Sequence, residues 1–389
     1  MDAAFLLGRR GAEMTPFRVV EVMEAAWALE AAGRSVVHLV AGEPDFGTPA
    51  AVVEAAARFT AGGHVHYTAS LGMPALRDAI SAYYAERLGA DVPARRIVVT
   101  TGASAALLMA LGAMVDAGDS VLVTDPGYPC TANLVAFCGG APVRVPVDAE
   151  TRYQPDPAAL EQHRDASTKA VIIGSPANPT GSAPSEAELA AVISWARFAG
   201  LACLVDEVYG ELVYDRSPST ALSLDPEVFA VGSFSKTFGM TGWRLGWLVC
   251  PDWALETVTR LAQNLYISPP GPAQAGALAA FTPGVWDEVA GRLEVLRRRR
   301  DLIVDGLPAI GFGVPITPAG AFYVYADSSG ICADSTELVS RLLNEVGVAV
   351  APGNDFGQHG AERHVRFSYA TSLEQIEVAL ERIGKAFSS

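Results

Sequence analysis

The residue with the most evident chemistry is Lys236, in Ser233-Phe234-Ser235-Lys236-Thr237-Phe238-Gly239-Met240-Thr241-Gly242-Trp243-Arg244. It follows an apolar run directly, with hydroxyls beside it and an arginine downstream. Apolar walls and neighbouring cations lower a lysine pKa, which is what an amine needs to attack an aldehyde. Ser233, Ser235 and Arg244 add the hydroxyl donors and forked guanidinium that suit a phosphate. A surface lysine in a loop is the plain alternative. Ser233-x-x-Lys236 also fits the Ser-Lys pattern of penicillin-binding acyl transferases, but their Ser-Asp-Asn and Lys-Thr-Gly companions are absent from the sequence.

Other candidates stand upstream. Asp206, in Asp206-Glu207-Val208-Tyr209, ends the apolar run Leu201–Val205, and an acid at a strand's C-terminal end lies where open α/β sheets bind ligands. A carboxylate there could keep a pyridine nitrogen protonated, bind a metal or cap a helix. Tyr209 could reach a phenolic oxygen or fill the core. Asn178, in Gly174-Ser175-Pro176-Ala177-Asn178-Pro179-Thr180-Gly181, can donate to a phenolate from a turn whose Asn-Pro bond could be cis. Thr100-Thr101-Gly102-Ala103-Ser104 joins a strand to a helix, a join that binds phosphate through backbone N–H groups or is merely capped by Ser104. Tyr128, in Pro126-Gly127-Tyr128-Pro129, could stack on a flat ring or sit exposed in a turn. His64 and His66 share a strand face without partner ligands, so no metal site is expected.

These residues need a scaffold, and the pattern supplies one. Short β-branched runs at Ile97–Thr101, Ser120–Thr124, Pro142–Val147, Ala170–Gly174, Leu201–Val205, Val228–Ser233 and Leu245–Cys250 alternate with helical stretches, as in βαβ units around a mainly parallel, doubly wound sheet. After about Pro283 a long charged helix leads into Phe322–Tyr325, a helix near Thr336–Asn344, then Val348–Ala351 and Val365–Ser368, a smaller α+β lobe. A helix around Val19–Ala32 and the run Val36–Val40 could pack on either lobe. At 389 residues, 50% hydrophobic and 18% charged, the chain can bury a large core. Its 28 Lys+Arg against 43 Asp+Glu give a net charge of -15, which argues against nucleic acid or anionic lipid as partner. The run Arg297–Arg300 reads as a solvated helix face or as Arg stems along a partner surface. Ala105 to Val115 is too short to span a bilayer, and Met1 to Arg10 lacks the order of a secretory signal. The five cysteines include no close pair, so a reduced cytoplasmic protein without a membrane segment is expected.

Taken together, the ordered motifs Gly42–Phe46 (Gly-Glu-Pro-Asp-Phe), Tyr67, Gly102-Ala103-Ser104, Pro126-Gly127-Tyr128, Asn178–Gly181, Asp206–Tyr209, Ser233-x-Ser235-Lys236, Gly242-Trp243-Arg244 and Arg366 resemble fold type I, class I/II pyridoxal-phosphate aminotransferases, the aspartate aminotransferase superfamily. The resemblance spans nearly the whole chain. It implies a large pyridoxal-phosphate domain over residues 43–283 and a small α+β domain from residues 1–42 and 284–389. It implies Lys236 as Schiff-base lysine and as the base that moves a proton between Cα and C4′, with Asp206 paired to the pyridine nitrogen. Asn178 and Tyr209 would bind the phenolic oxygen and Tyr128 would stack on the ring. Ala103, Ser104, Ser233, Ser235 and Arg244 would hold the phosphate. Gly42, Asn178 and Arg366 would bind the substrate, Arg366 through its α-carboxylate. A homodimer with shared sites follows, Tyr67 reaching the neighbouring subunit's phosphate. The implied activity moves an amino group between an L-amino acid, aspartate or a neutral or aromatic one, and a 2-oxo acid such as 2-oxoglutarate. A fold type I lyase is the alternative. Some aspartate-preferring relatives carry Lys where this chain has Ser104, and Arg18 is the residue that could substitute.

Overall fold

The computed structural model describes residues 8–12 and 14–387. A two-residue strand, β1 (Val37–His38), precedes seven strands at the expected apolar runs: β2 (Ile97–Thr100), β3 (Ser120–Asp125), β4 (Ala141–Pro146), β5 (Thr168–Gly174), β6 (Ala202–Asp206), β7 (Phe229–Ser233) and β8 (Gly246–Val249). These seven form one sheet in the order β2-β8-β7-β6-β5-β3-β4. Only β8 runs antiparallel to its neighbours β7 and β2. Successive side chains of a strand leave opposite faces, and here both faces are covered. Ala170 and Ile172 of β5 join one apolar cluster with Val121, Leu204 and Val231, while Val171 and Ile173 join another with Leu122, Val205 and Ala230. This is the doubly covered α/β sheet that the unbroken apolar runs imply. Its consequence is directional: parallel strands end on one edge, so the residues after β3, β5, β6 and β7 open onto the same side.

The remaining strands are β9 (Tyr323–Asp327), β10 (Val348–Ala349), β11 (Ala351–Pro352) and β12 (His364–Ser368). β12 lies between β11 and β9, antiparallel to both, and β10 pairs in parallel with β1. The expected single strand Val348–Ala351 is thus two, with Val350 passing the chain from one sheet to the other. The helix expected near Thr336–Asn344 is α-helical over Ser335–Arg341 and becomes a π turn over Leu342–Val346, stopped by Gly347 at φ 74°. The N-terminal helix Arg18–Ala31 and the run after it pack with Tyr325, Leu343, Ala349 and Ala351, and also with Val147 and Tyr153 beyond β4. They therefore pack with strands of the two smaller sheets and with the segment that leaves β4.

The arginine run departs from the solvated face expected of it. In the helix Pro283–Ala309, Arg299 and Arg300 are only 5% and 6% exposed. Arg299 makes a two-pronged bond to Asp45 at 2.7 and 2.8 Å and lies 5.1 Å from the Phe46 ring centre. Arg300 reaches Asp215 and Asp301 and lies over Tyr214. Four consecutive positions span more than one turn, so one helix must point some of them inward, and carboxylates more than 80 residues away receive these two. Removing one partner of such a pair strands a buried charge. Asp45→Ala is expected to lower unfolding free energy by about 3 kcal/mol, read as a lower urea midpoint at unchanged slope. A loss below about 1 kcal/mol would mean that the pair behaves as a surface contact.

Candidate active site

At the C-terminal edge of the large sheet lies a cavity of about 330 Å³. Gly42, Ala103, Ser104, Tyr128, Asn178, Asp206, Tyr209, Ser233, Ser235, Lys236, Arg244 and Arg366 all line it. Of the residues given a cofactor or substrate role, Tyr67 lies elsewhere, 80% exposed on the surface. Arg18 is also exposed and outside the cavity wall.

Lys236, three residues after β7, donates from Nζ to the Gly42 carbonyl at 2.6 Å. Burial lowers its pKa to about 8; Arg244 and Arg366 push the same way, while Glu43 and Asp206 oppose them. Asp206 closes β6 at the cavity floor, where burial raises its carboxyl to about 6 against the opposing Val208 N–H and Lys236. The adjacent Glu207 takes no part in the cavity. It accepts from Thr220 Oγ1 at 2.9 Å and from the Ala221 N–H at 2.7 Å, so one acid of the pair faces the cavity and the other ties down the 220 turn.

On one flank Ser233, Ser235 and Arg244 stand opposite the start of helix Ala103–Met114. No side chain caps that helix, which sets aside the capping reading of Ser104 and leaves its first backbone N–H groups to the cavity side. Gly102 has φ +94°, and a Cβ there would lie 2.6 Å from Arg244 Nη2. Glycine is what lets the guanidinium approach the helix end. Hydroxyls, a guanidinium and a helix N-terminus converging on one point form an anion cradle.

On the other flank Arg366, 1% exposed, is fixed on all sides. Nη1 donates to Asn178 Oδ1 at 2.9 Å and Nη2 to the Val40 carbonyl at 2.7 Å. The guanidinium carbon lies 4.3 Å from the Tyr323 ring centre and 4.7 Å from that of Phe356. Its Nε is buried without a partner. A positioned cation on a cavity wall suits a carboxylate.

The match of the class I and II aminotransferase family covers residues 34–383. This chain belongs to that family. It is 41% identical to a valine–pyruvate aminotransferase of Mycobacterium tuberculosis over 96% of each chain. It is 37% identical to an aspartate/prephenate aminotransferase of Thermus thermophilus, over 97% of this chain and 98% of that one. Among solved structures it resembles the aspartate aminotransferase of Thermus thermophilus with maleate, at TM-score 0.93 and 37% identity over 97% and 99% of the two chains. The aspartate-aminotransferase-like fold and the transfer of amino groups as the activity rest on these likenesses; a lyase is not favoured by them.

The family uses pyridoxal phosphate, and the residues of this aminotransferase fit it. The anion cradle suits the phosphate, the depressed amine of Lys236 suits the aldehyde, and Asp206 suits the ring nitrogen. The sequence reading missed Tyr323 and Phe356. Tyr323 shares a 2.8 Å hydroxyl contact with Tyr209 and lies against Arg366, so it joins those two residues. Tyr323 opens the apolar strand β9, where core packing and cation stacking give the same sequence pattern, and Phe356 follows the 353–355 turn. The bonds Asp125-Pro126, Ser175-Pro176 and Asn178-Pro179 are cis.

Two outcomes follow from the charges. The rate at which cofactor-free protein captures pyridoxal phosphate should rise with pH as Lys236 loses its proton and level off above about 8. A profile still climbing towards about 10, as for a free lysine, would count against a depressed amine. For Asp206 the folded pKa is raised, so its charge costs stability as pH climbs from 3.8 through about 6. Cofactor-free Asp206→Asn should therefore gain on the order of 1 kcal/mol above that window, the shift being discounted for water in the open cavity. The gain should vanish in acid, and an unchanged or lower Tm at neutral pH would contradict it.

Proposed function

We propose that Lys236 is the Schiff-base lysine of this aminotransferase and that Arg366 holds the substrate, an L-amino acid in one half-reaction and a 2-oxo acid such as 2-oxoglutarate in the other. The observation that carries this reading is the pairing, in one cavity, of a lysine amine held near neutrality with a fixed guanidinium whose Nε is unpaired. When bound, pyridoxal phosphate supplies the aldehyde that takes up an amino group and a ring that accepts the electron pair left at Cα.

The chain's own residues supply the rest. Ser233, Ser235, Arg244 and the backbone at Ala103 and Ser104 bind the phosphate. Asp206 keeps the ring nitrogen protonated, and a cation placed there offsets the carboxylate's cost of burial. Asn178 and Tyr209 donate to the phenolic oxygen; Asn178 has its Nδ2 free for this because its Oδ1 already serves Arg366. Tyr128 stacks on the ring. Arg366 orients the α-carboxylate beside Gly42, and Lys236 Nζ takes the proton from Cα. Residues 43–283 act as the cofactor domain, with 1–42 and 284–389 as the smaller one. Tyr67, exposed beside the exposed Val65, serves the neighbouring subunit's phosphate in a cytoplasmic homodimer. Among the described residues no helix is long and apolar enough to cross a membrane.

A donor-by-acceptor panel on the purified enzyme tests the reading. Transamination needs a 2-oxo acid acceptor, whereas a lyase releases product from the amino acid alone. Lys236→Ala should abolish turnover. Arg366→Ala should weaken substrate carboxylate binding by about 100-fold. Full activity in the first variant, or unchanged kinetics in the second, would overturn the assignment.

A further inference from the structure

Arg366 owes part of its setting to Phe356, and a phenyl ring has no polar group by which to be held. Its place is set by the backbone around it. Phe356 is 1% exposed, its ring centre 4.7 Å from the Arg366 guanidinium carbon, with the Tyr325 ring edge-on at 6.3 Å. Three anchors hold the strap 355–359 that carries it. Asp355 accepts from the N–H of Arg18 at 2.9 Å and of Val19 at 3.3 Å, and the Phe356 carbonyl accepts from the Gly127 N–H at 2.8 Å. The third anchor is Asp125, the last residue of β3 and only 3% exposed.

Among the described residues the Asp125 carboxylate accepts from backbone N–H groups alone. Gln358 donates to Oδ1 at 2.8 Å and to Oδ2 at 3.1 Å, and His359 donates to Oδ1 at 3.3 Å. Gly357 makes this approach possible, since a Cβ there would fall on Oδ1. Bonds to an ionised acceptor are about twice as strong as neutral ones, so the clamp is a firm one. Asp125, Phe356 and Gly357 do not line the cavity, and the contact therefore acts from behind its wall. We propose that Asp125 is a positioning residue: by clamping residues 357–359 to the end of β3 it seats the Phe356 ring against Arg366 and so sets the geometry in which the substrate carboxylate is captured. This rests on the reading of Arg366 given above. Asparagine at position 125 keeps the shape but turns an amide N–H towards the N–H groups of the strap, which leaves donors unpaired and the ring free to shift.

Two aminooxy probes on the holoenzyme separate carboxylate capture from the rest of the site. Aminooxyacetate and methoxyamine carry the same nucleophile, with and without a carboxylate, and each displaces the Lys236 amine from the bound cofactor, followed as loss of its visible absorbance. The ratio of their second-order rates, divided by the same ratio for free pyridoxal phosphate, reads the carboxylate receptor alone. Asp125→Asn and Phe356→Leu should each lower this ratio at least about fivefold while leaving the methoxyamine rate within about twofold of the parent. A strap that only stabilises the fold would lower Tm and leave the ratio alone. A ratio within about twofold of the parent in either variant, or equal loss of both rates, overturns the proposal. If Asp125→Asn does not fold, Gly357→Ala, which presses a methyl group onto the same carboxylate oxygen, is held to the same threshold. Arg366→Ala distinguishes the two levels of the argument. A ratio unchanged there means that the reading of Arg366 fails and the role of Asp125 with it, whereas a ratio lost there but kept in Asp125→Asn sinks the clamp alone.

Discussion

An amine that must react with a carbonyl near neutral pH has to be relieved of its proton, and water opposes this by solvating the ammonium form. Here Lys236 is withdrawn from water beside two guanidinium groups, and two carboxylates temper the effect. The rest of the site can be understood as what makes that arrangement tolerable. The same arginines that repel the ammonium suit the anions of cofactor and substrate. Asp206 carries a cost of burial that Lys236 and the Val208 N–H offset only in part, and a further cation beside it would offset more.

Such a cluster of like charges holds only if each member is fixed by something other than its neighbours. Arg366 is gripped by two acceptors and two aromatic rings. Arg244 sits in a left-handed conformation (φ 50°) with Nη1 on the Thr241 carbonyl, in a space that only Gly102 leaves open. Further along, Gly246 of β8 lets the 102–103 backbone approach: a Cβ there would lie 2.9 Å from the Ala103 nitrogen. Backbone room, more than side-chain chemistry, sets the spacing of the anion cradle.

Much of this was legible in the sequence because it is local. Strands announced themselves by unbroken apolar runs such as Val171-Ile172-Ile173, and the reactive groups stood just past their ends, where a parallel sheet collects them. What escaped notice depends on partners distant in the chain. Nothing near Arg299 or Arg300 betrays Asp45 or Asp215, so a basic run looked solvated. Tyr323 was hidden in the run Phe322–Tyr325 because a strand aromatic has one pattern whether it covers a methyl group or a guanidinium, and Phe356 stands after the 353–355 turn with no neighbour that marks it. Val350, where the chain changes sheets, differs in nothing from its apolar neighbours. Tyr67 stands exposed and outside the cavity of its own chain.

The bond from Arg366 to the Val40 carbonyl spans 326 positions. A ribosome must therefore release almost the entire polypeptide before the Arg366–Val40 bond can close, and contacts of such long sequence separation are slow to form. Any ligand that engages both flanks adds its binding energy only to the finished fold. Its uptake during synthesis would then mark the moment at which the first forty residues and the last thirty meet.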